Sequence, residues 1–367
     1  MLVGIAVASA CAGLAVGVLG KGATSPESLE RGESPVAPAL PASQLVGQRL
    51  IAGFDGLRAP GGLRRMIGRG ELAGVILFAG NVGTREETRR LVSSLQRIPR
   101  PEALSMPLAV MVDQEGGLVE RVPGPPSASA EEMGARGSAF ARRQGKATAR
   151  SLGGLGINVD LAPVLDVGRA GGAIGAEDRS FGSSAARVIG VGVGGFAAGL
   201  REGGIAASAK HFPGLGAAAI NTDDAAGEIR LSKSRLRRTD EAPFAAFAEA
   251  GGELVMLSLA TYPAFSDRPA AMSRSIVTGE LRGRLGYEGV SITDSLDAAA
   301  ATSFAGRDRA ALAAAGAGSD LLLYGSWRTA REVARPLRGG LLSGKLDREE
   351  FEAAVERVIG LRRGLAE

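Results

Sequence analysis

The sequence predicts an α/β protein folded as one (β/α)8 barrel, a TIM barrel, and three observations lead there. Eight short apolar runs, at residues 48–54, 73–78, 108–112, 158–167, 205–210, 254–259, 290–293 and 320–324, alternate with longer amphipathic segments. Parallel strands need crossover connections, so this alternation implies a parallel sheet. Strand after strand ends in a polar or glycine-rich cluster: Asp55-Gly56, Asn81, Asp113 with Gly116-Gly117, Asp166, Lys210-His211 and Asp294. A barrel gathers all these carboxyl ends on one rim, whereas an open doubly wound sheet gathers only those beside its switch point. The length also suits a single closed barrel once a leader is set aside.

In chain order, the first stretch is an uncharged apolar run from Met1 to Gly20, followed by Lys21. Residues 1–21 are expected to be an export signal or membrane anchor, with a mis-chosen start codon as the alternative. Cys11 follows Ala8-Ser9-Ala10, which loosely resembles a lipoprotein cleavage box. Residues 22–43 are rich in Ser, Pro and Glu and read as a disordered spacer. The barrel domain is expected to span 44–367, placed outside the cytoplasm, secreted or anchored. Helical patterns follow at 138–152, 236–250, 307–315 and 328–337, and a last amphipathic helix at 348–361 closes the chain.

Composition narrows the partners. Hydrophobic residues make up 45% and charged residues 22%, as in soluble globular proteins. The 55 glycines follow no Gly-X-Y period and point to tight turns and close packing of elements. The net charge is +4, the arginines are scattered along the chain, and aromatics are 4%. That argues against a nucleic-acid partner, which wants a basic stripe or stacking platforms. A monomer is expected. Cys11 is the single cysteine, so the domain has neither disulfides nor Cys-ligated metal.

The ionisable residues at strand ends are candidates for chemistry. Asp294 ends the β-branched run Val290-Ser291-Ile292-Thr293 and can be a nucleophile, a base, a metal ligand or simply a helix cap. Asp113 precedes Gln114-Glu115-Gly116-Gly117, whose glycines let the backbone approach a ligand, with Arg121 eight positions on. These two could hold hydroxyls and an anion, or form a rim ion pair. His211, the one histidine, stands beside Lys210 at a strand end, and Arg179 completes the candidate cations. Neither a phosphate loop nor a dinucleotide fingerprint is present, so no cofactor is expected. One histidine and no cysteine in the domain leave only carboxylates as metal ligands, and no metal is expected.

Five tracts carry a resemblance: Val112-Asp113-Gln114-Glu115-Gly116-Gly117, Leu161-Ala162-Pro163-Val164-Leu165-Asp166-Val167, Arg179-Ser180-Phe181-Gly182, Lys210-His211-Phe212-Pro213-Gly214 and Ile292-Thr293-Asp294. Together and in this order they resemble glycoside hydrolase family 3, most closely its single-domain bacterial β-N-acetylglucosaminidases of peptidoglycan turnover. The resemblance spans residues 44–361. It implies a (β/α)8 barrel and a retaining mechanism through a covalent glycosyl-enzyme. Carried over motif by motif, Asp294 matches the nucleophile. Asp113, Arg121, Arg179, Lys210 and His211 match the residues that hold the sugar.

The loop after Gly214 departs from that pattern. These glucosaminidases place a histidine where Leu215 stands, then an Asp-x-His pair as general acid/base. Here the pair is Asn221 and Asp223, with Thr222 between. One reading gives the acid/base role to Asp223, or to Asp224, with a pKa raised by burial or by Asp294. The other reading is a weak or inactive member that binds sugar or muropeptide without turnover. A β-glucosidase-type substrate, or phosphate in place of water as acceptor, also stays open.

Overall fold

The structure, a computed structural model, describes residues 40–365. The apolar run and most of the expected spacer lie outside the described residues. Among those described, no helix is long and apolar enough to cross a membrane. The first helix, Ala42–Gly47, starts two residues ahead of Gln44.

All eight apolar runs contain strands. In chain order the strands are β1 (Leu50–Ala52), β2 (Gly74–Leu77), β3 (Ala109–Val112), β4 (Gln114–Gly116), β5 (Val119–Glu120), β6 (Val159–Asp160), β7 (Ala206–Phe212), β8 (Leu254–Leu257), β9 (Val290–Thr293) and β10 (Leu322–Tyr324). The β4–β5 pair is an antiparallel hairpin on the rim. The rest form one parallel sheet in the order β10-β1-β2-β3-β6-β7-β8-β9. A parallel bridge between Ile292 and Leu321 joins its two ends. The sheet is therefore a barrel with eight strands.

The run at 158–167 gives only the two residues of β6, with Val164 reaching Lys210 as an isolated bridge. Pro163 has no N–H to give the ladder, which shortens the strand. Gly74 of β2 lies opposite Ala109 of β3, where a Cβ would sit 2.2 Å from the Ala109 carbonyl oxygen. That close approach requires glycine.

Alternation along the strands builds two cores. Ile51, Ile76, Met111, Met256, Ile292 and Leu323 point inward and pack together inside the barrel. Leu50, Val75, Val110, Val255 and Leu322 point outward and join the apolar layer under the helices. The period-2 geometry of a strand puts neighbours on opposite faces, so one run supplies both layers. The last helix, Arg348–Gly364, places Val358 in the inner cluster, with Leu361 and Leu365 against it.

The helices follow the sequence with two instructive differences. The segment 236–250 divides into Leu236–Asp240 and Ala242–Glu249. Pro243 sits in the first turn of the second helix, where its missing N–H costs nothing, and it cannot continue the first. The segment 328–337 instead runs through Pro336 as Trp327–Leu342, held by buried Val333, Leu337 and Leu341.

One carboxylate organises the barrel base. Asp320, fully buried, accepts from the Ser291 amide at 2.7 Å and hydroxyl at 2.9 Å, and from Arg357 Nη2 at 2.8 Å. Arg282 pairs with the same Oδ2 that Ser291 serves, while Arg357 takes Oδ1. Removing one partner of a buried ion pair strands the others, which costs about 3–5 kcal/mol. Asp320→Ala should lower the unfolding free energy by that amount in urea denaturation; a loss under about 1 kcal/mol would contradict this account.

Candidate active site

A cavity of about 360 Å³ opens at the carboxyl ends of the barrel strands. Ile76, Leu161, Met256 and Leu323, from around the barrel, supply its apolar floor. Seven residues nominated from the sequence line it, Asp113, Arg121, Arg179, Lys210, His211, Asp223 and Asp294, whereas Asp224, the alternative acid/base, does not. Barrel closure brings them together from a sequence range of nearly half the chain.

Opposite charges interlock beside the floor. Lys210 Nζ lies 2.6 Å from Asp113 Oδ1 and 2.7 Å from Glu115 Oε1. Arg179 grips Glu115 with two bonds, Nε to Oε2 at 2.9 Å and Nη2 to Oε1 at 3.0 Å. Its Nη1 reaches Glu177 Oε2 at 2.9 Å. Burial alone pushes the Glu115 carboxyl up, but Lys210 and Arg179 overcome it and hold it at about 2. Burial likewise opposes the Lys210 charge, and Asp113 and Glu115 reverse that and raise its pKa. Asp113 thus pairs with Lys210. Among the described residues Arg121 has no side-chain partner, so the rim ion pair between these two does not form.

Asp166 fixes the other half of the floor. Its Oδ1 accepts from the amides of His211 at 3.1 Å and Leu215 at 2.6 Å, and its Oδ2 contacts His211 Nδ1 at 2.7 Å. His211 is left with Nε2 as the ring nitrogen that can serve a ligand. The following turn is held just as closely. Gly214 has φ +122° and a Cβ there would meet Asp240, while its carbonyl accepts from the Tyr262 hydroxyl at 3.0 Å. Leu215 is buried and lines the cavity.

Beyond this point the loop is tied differently. Asn221 Oδ1 accepts from the Asp223 amide at 3.1 Å, a local turn that presents Asp223 to the cavity. The carbonyls of Thr222 and Asp223 accept long bonds, 3.4 and 3.3 Å, from the Ala300 and Ala299 amides. Asp223 is exposed at the mouth yet crowded by the walls. Its pKa is raised, first by partial desolvation and then by the charge of Asp294; His211 and Arg179 pull the other way.

Asp294 follows β9 and is half-buried, and the Ser295 amide donates to its Oδ1 at 2.7 Å. The next helix begins at Ala299 with Ala298 as its cap, so Asp294 does not cap it. Among the described residues no group of three or more His, Cys, Asp and Glu is arranged to hold a metal ion. Two functional residues were not nominated from the sequence, Glu115 and Asp166. Both stand in quoted motifs, but 64 positions separate Glu115 from Arg179 and 45 separate Asp166 from His211, so no local signal marked their pairing.

A family model for the glycosyl hydrolase family 3 N-terminal domain matches residues 49–361. The chain belongs to glycosyl hydrolase family 3. It is therefore a glycosidase acting on O-glycosyl bonds. It is 36% identical over 343 residues to a protein of Arthroderma benhamiae named "Uncharacterized secreted glycosyl hydrolase", covering 90% of this chain and 96% of that one. A β-hexosaminidase of Xanthomonas oryzae pv. oryzae is 32% identical, covering 75% of this chain and 82% of its own. The family 3 β-N-acetylglucosaminidase structure from Paenibacillus superposes with TM-score 0.84 at 33% identity. That match covers 90% of this chain and 64% of the Paenibacillus chain. The β-N-acetylhexosaminidase structure from Beutenbergia cavernae gives TM-score 0.80 at 31% identity, covering 88% and 98%.

The Glu115 cluster makes stability depend on pH. Its folded pKa of about 2 lies below the unfolded value, so the unfolded chain binds the proton first on acidification. The contribution, of order 3 kcal/mol, is present above about pH 4.5 and declines as pH falls towards 2. Glu115→Gln should destabilise the protein near neutrality and flatten its stability profile in that acid window. Denaturant titrations across pH check both effects.

Proposed function

We propose that this glycosidase is a retaining β-N-acetylhexosaminidase that removes β-linked N-acetylglucosamine from cell-wall fragments. The observation that carries this reading is that Asp294 and Asp223 face one cavity above a charged sugar-sized floor. The Paenibacillus and Xanthomonas relatives, a β-N-acetylglucosaminidase and a β-hexosaminidase, support the sugar class. Export outside the cytoplasm is supported by the apolar run at Met1 to Gly20 and by the secreted Arthroderma relative.

The mechanism is a double displacement. Asp294 attacks the anomeric carbon while Asp223, protonated, delivers its proton to the departing glycosidic oxygen. That step forms the bond from Asp294 to the sugar and breaks the bond to the aglycone. In the second step Asp223, now a carboxylate, takes a proton from water as the water oxygen displaces Asp294. A raised pKa suits Asp223 to this exchange, and the loss of negative charge on Asp294 in the intermediate favours its deprotonation. Asp113 and Lys210 hold sugar hydroxyls, with Arg179 and His211 completing the grip. Arg121, unpaired among the described residues, can meet a carboxylate of a muropeptide.

Asp294→Ala is expected to abolish release of 4-nitrophenol from its β-N-acetylglucosaminide; full activity in that variant would sink the proposal. Asp223→Ala should spare such activated substrates and slow those with poor leaving groups by about 10²- to 10⁴-fold. The first step needs Asp223 protonated, so wild-type kcat/KM for poor leaving groups should fall as pH rises through its raised pKa. The variant should lose that alkaline limb. An unchanged leaving-group dependence and pH profile would remove Asp223 from the role. Sugar binding by calorimetry without any turnover would identify a binding protein instead.

A further inference from the structure

The arginines that look scattered along the sequence are brought together by the fold. Helix Trp327–Leu342 carries Arg328, Arg331, Arg335 and Arg338 at spacings of three, four and three, which places them along one side. All four are exposed. Arg282 and Arg357 pair with Asp320, whereas none of these four has a carboxylate partner among the described residues. Arg328 and Arg331 stack against the Trp327 ring, 5.0 and 5.4 Å from its centroid, which holds their heads on the outer surface.

The neighbouring helix, Gly61–Gly68, packs against the same tryptophan. Gly62 of Gly61–Gly68 packs against the Trp327 ring so closely that a Cβ would lie 2.1 Å from it. Two residues on, Arg64 shares a cleft with Arg58 and Arg90. A second cleft, about 180 Å³, lies between Arg331, Arg335 and Arg338 and an apolar floor of Val46, Met66 and Ala334. The acidic groups nearby are Glu332 on the helix, Glu71 in this cleft and Glu87 in the first, where Arg90 also pairs with Glu86 at 3.6 Å. The four arginines of Trp327–Leu342 outnumber Glu332 and Glu71 and leave that helix face positive.

We propose that this arginine face docks on a bilayer surface rich in anionic phospholipid. Charge complementarity is the first argument. Unpaired, exposed guanidiniums lose little on approaching a negative interface, and each strengthens attachment roughly fivefold. Guanidiniums also suit phosphate, since their fork accepts two oxygens at once. Chain entry is the second argument. The described residues begin at Leu40, and the helix that follows, Ala42–Gly47, lines the arginine cleft with Ser43 and Val46. The described chain therefore starts beside this face. The face runs down the outer helical layer from the rim, where Arg328 follows the cavity-lining Gly325 by three residues, to Arg338 near the end of the helix. Nucleic acid fits less well, because Trp327 is the one aromatic here and is buried under its arginines.

The test uses the full chain with vesicles of phosphatidylcholine alone and of equal parts phosphatidylcholine and phosphatidylglycerol. Flotation should show stronger binding to the anionic vesicles, weakened by added salt. Combined Arg328→Glu, Arg331→Glu, Arg335→Glu and Arg338→Glu should reduce the anionic partition by at least about 100-fold, with circular dichroism unchanged. Should that variant misfold, Arg331→Gln with Arg335→Gln should still lose more than about tenfold. Equal binding to both vesicle types, or full anionic binding by a folded variant, would overturn the proposal. Capture of soluble polyphosphate without vesicle binding would also overturn it and assign the face to a soluble polyanion.

Discussion

A lysine withdrawn from water needs its negative partners, and this barrel's upper end is arranged around that requirement. Lys210 is 2% exposed, and Asp113 and Glu115 hold its charge within hydrogen-bond distance. Glu115 is equally buried and depends in turn on Arg179. Each group is tolerable in the interior because the others are present, since stranding one buried charge costs more than the whole set. The strand ends are thereby fixed relative to one another. The cradle is rigid before any sugar arrives, which is what orientation demands of a binding floor.

The same division between fixed and adjustable parts runs along a single segment. From Lys210 to Leu215 the chain is held by Asp166, by the Asp240 contact at Gly214 and by the Tyr262 hydroxyl. From Asn221 to Asp224 it is held by local turn bonds, from the Asp223, Asp224 and Ala225 amides to Asn221, and by two long amide bonds to the helix after Asp294. The end proposed to hold the sugar is tied to distant elements, whereas the proposed acid/base sits on a turn tied mainly to itself. At the opposite end of the barrel, Asp320 and the last helix seal the base, in keeping with a chemical rim and a stabilising floor.

Much of the architecture is legible in the sequence because it rests on local patterns. The eight apolar runs mark strands since a strand buried on both faces has no other composition open to it. The candidate residues can be nominated because they sit at the carboxyl ends of those runs. What stays hidden depends on pairings between distant segments. Asp113 finds Lys210 rather than Arg121, 97 positions apart instead of eight. Glu115 and Asp166 are seen as parts of motifs, but their roles appear only when the cations they serve are placed beside them. The arginine face is only partly legible for the same reason. Its four arginines stand three or four positions apart on one helix, but that they lack carboxylate partners appears only when the surrounding side chains are placed.

The light tethering of residues 221–224 carries a thermodynamic consequence. Holding a backbone residue in one conformation costs on the order of 1–2 kcal/mol of entropy. Where the protein's own bonds do not cover that cost, a ligand filling the mouth must supply it from its contacts. Part of a good substrate's affinity is then spent on assembling the acid/base rather than on lowering KM. A short glycoside that fills the sugar floor but leaves the mouth empty would bind well and react slowly. Selectivity in such an enzyme resides in the rate of reaction more than in the strength of binding.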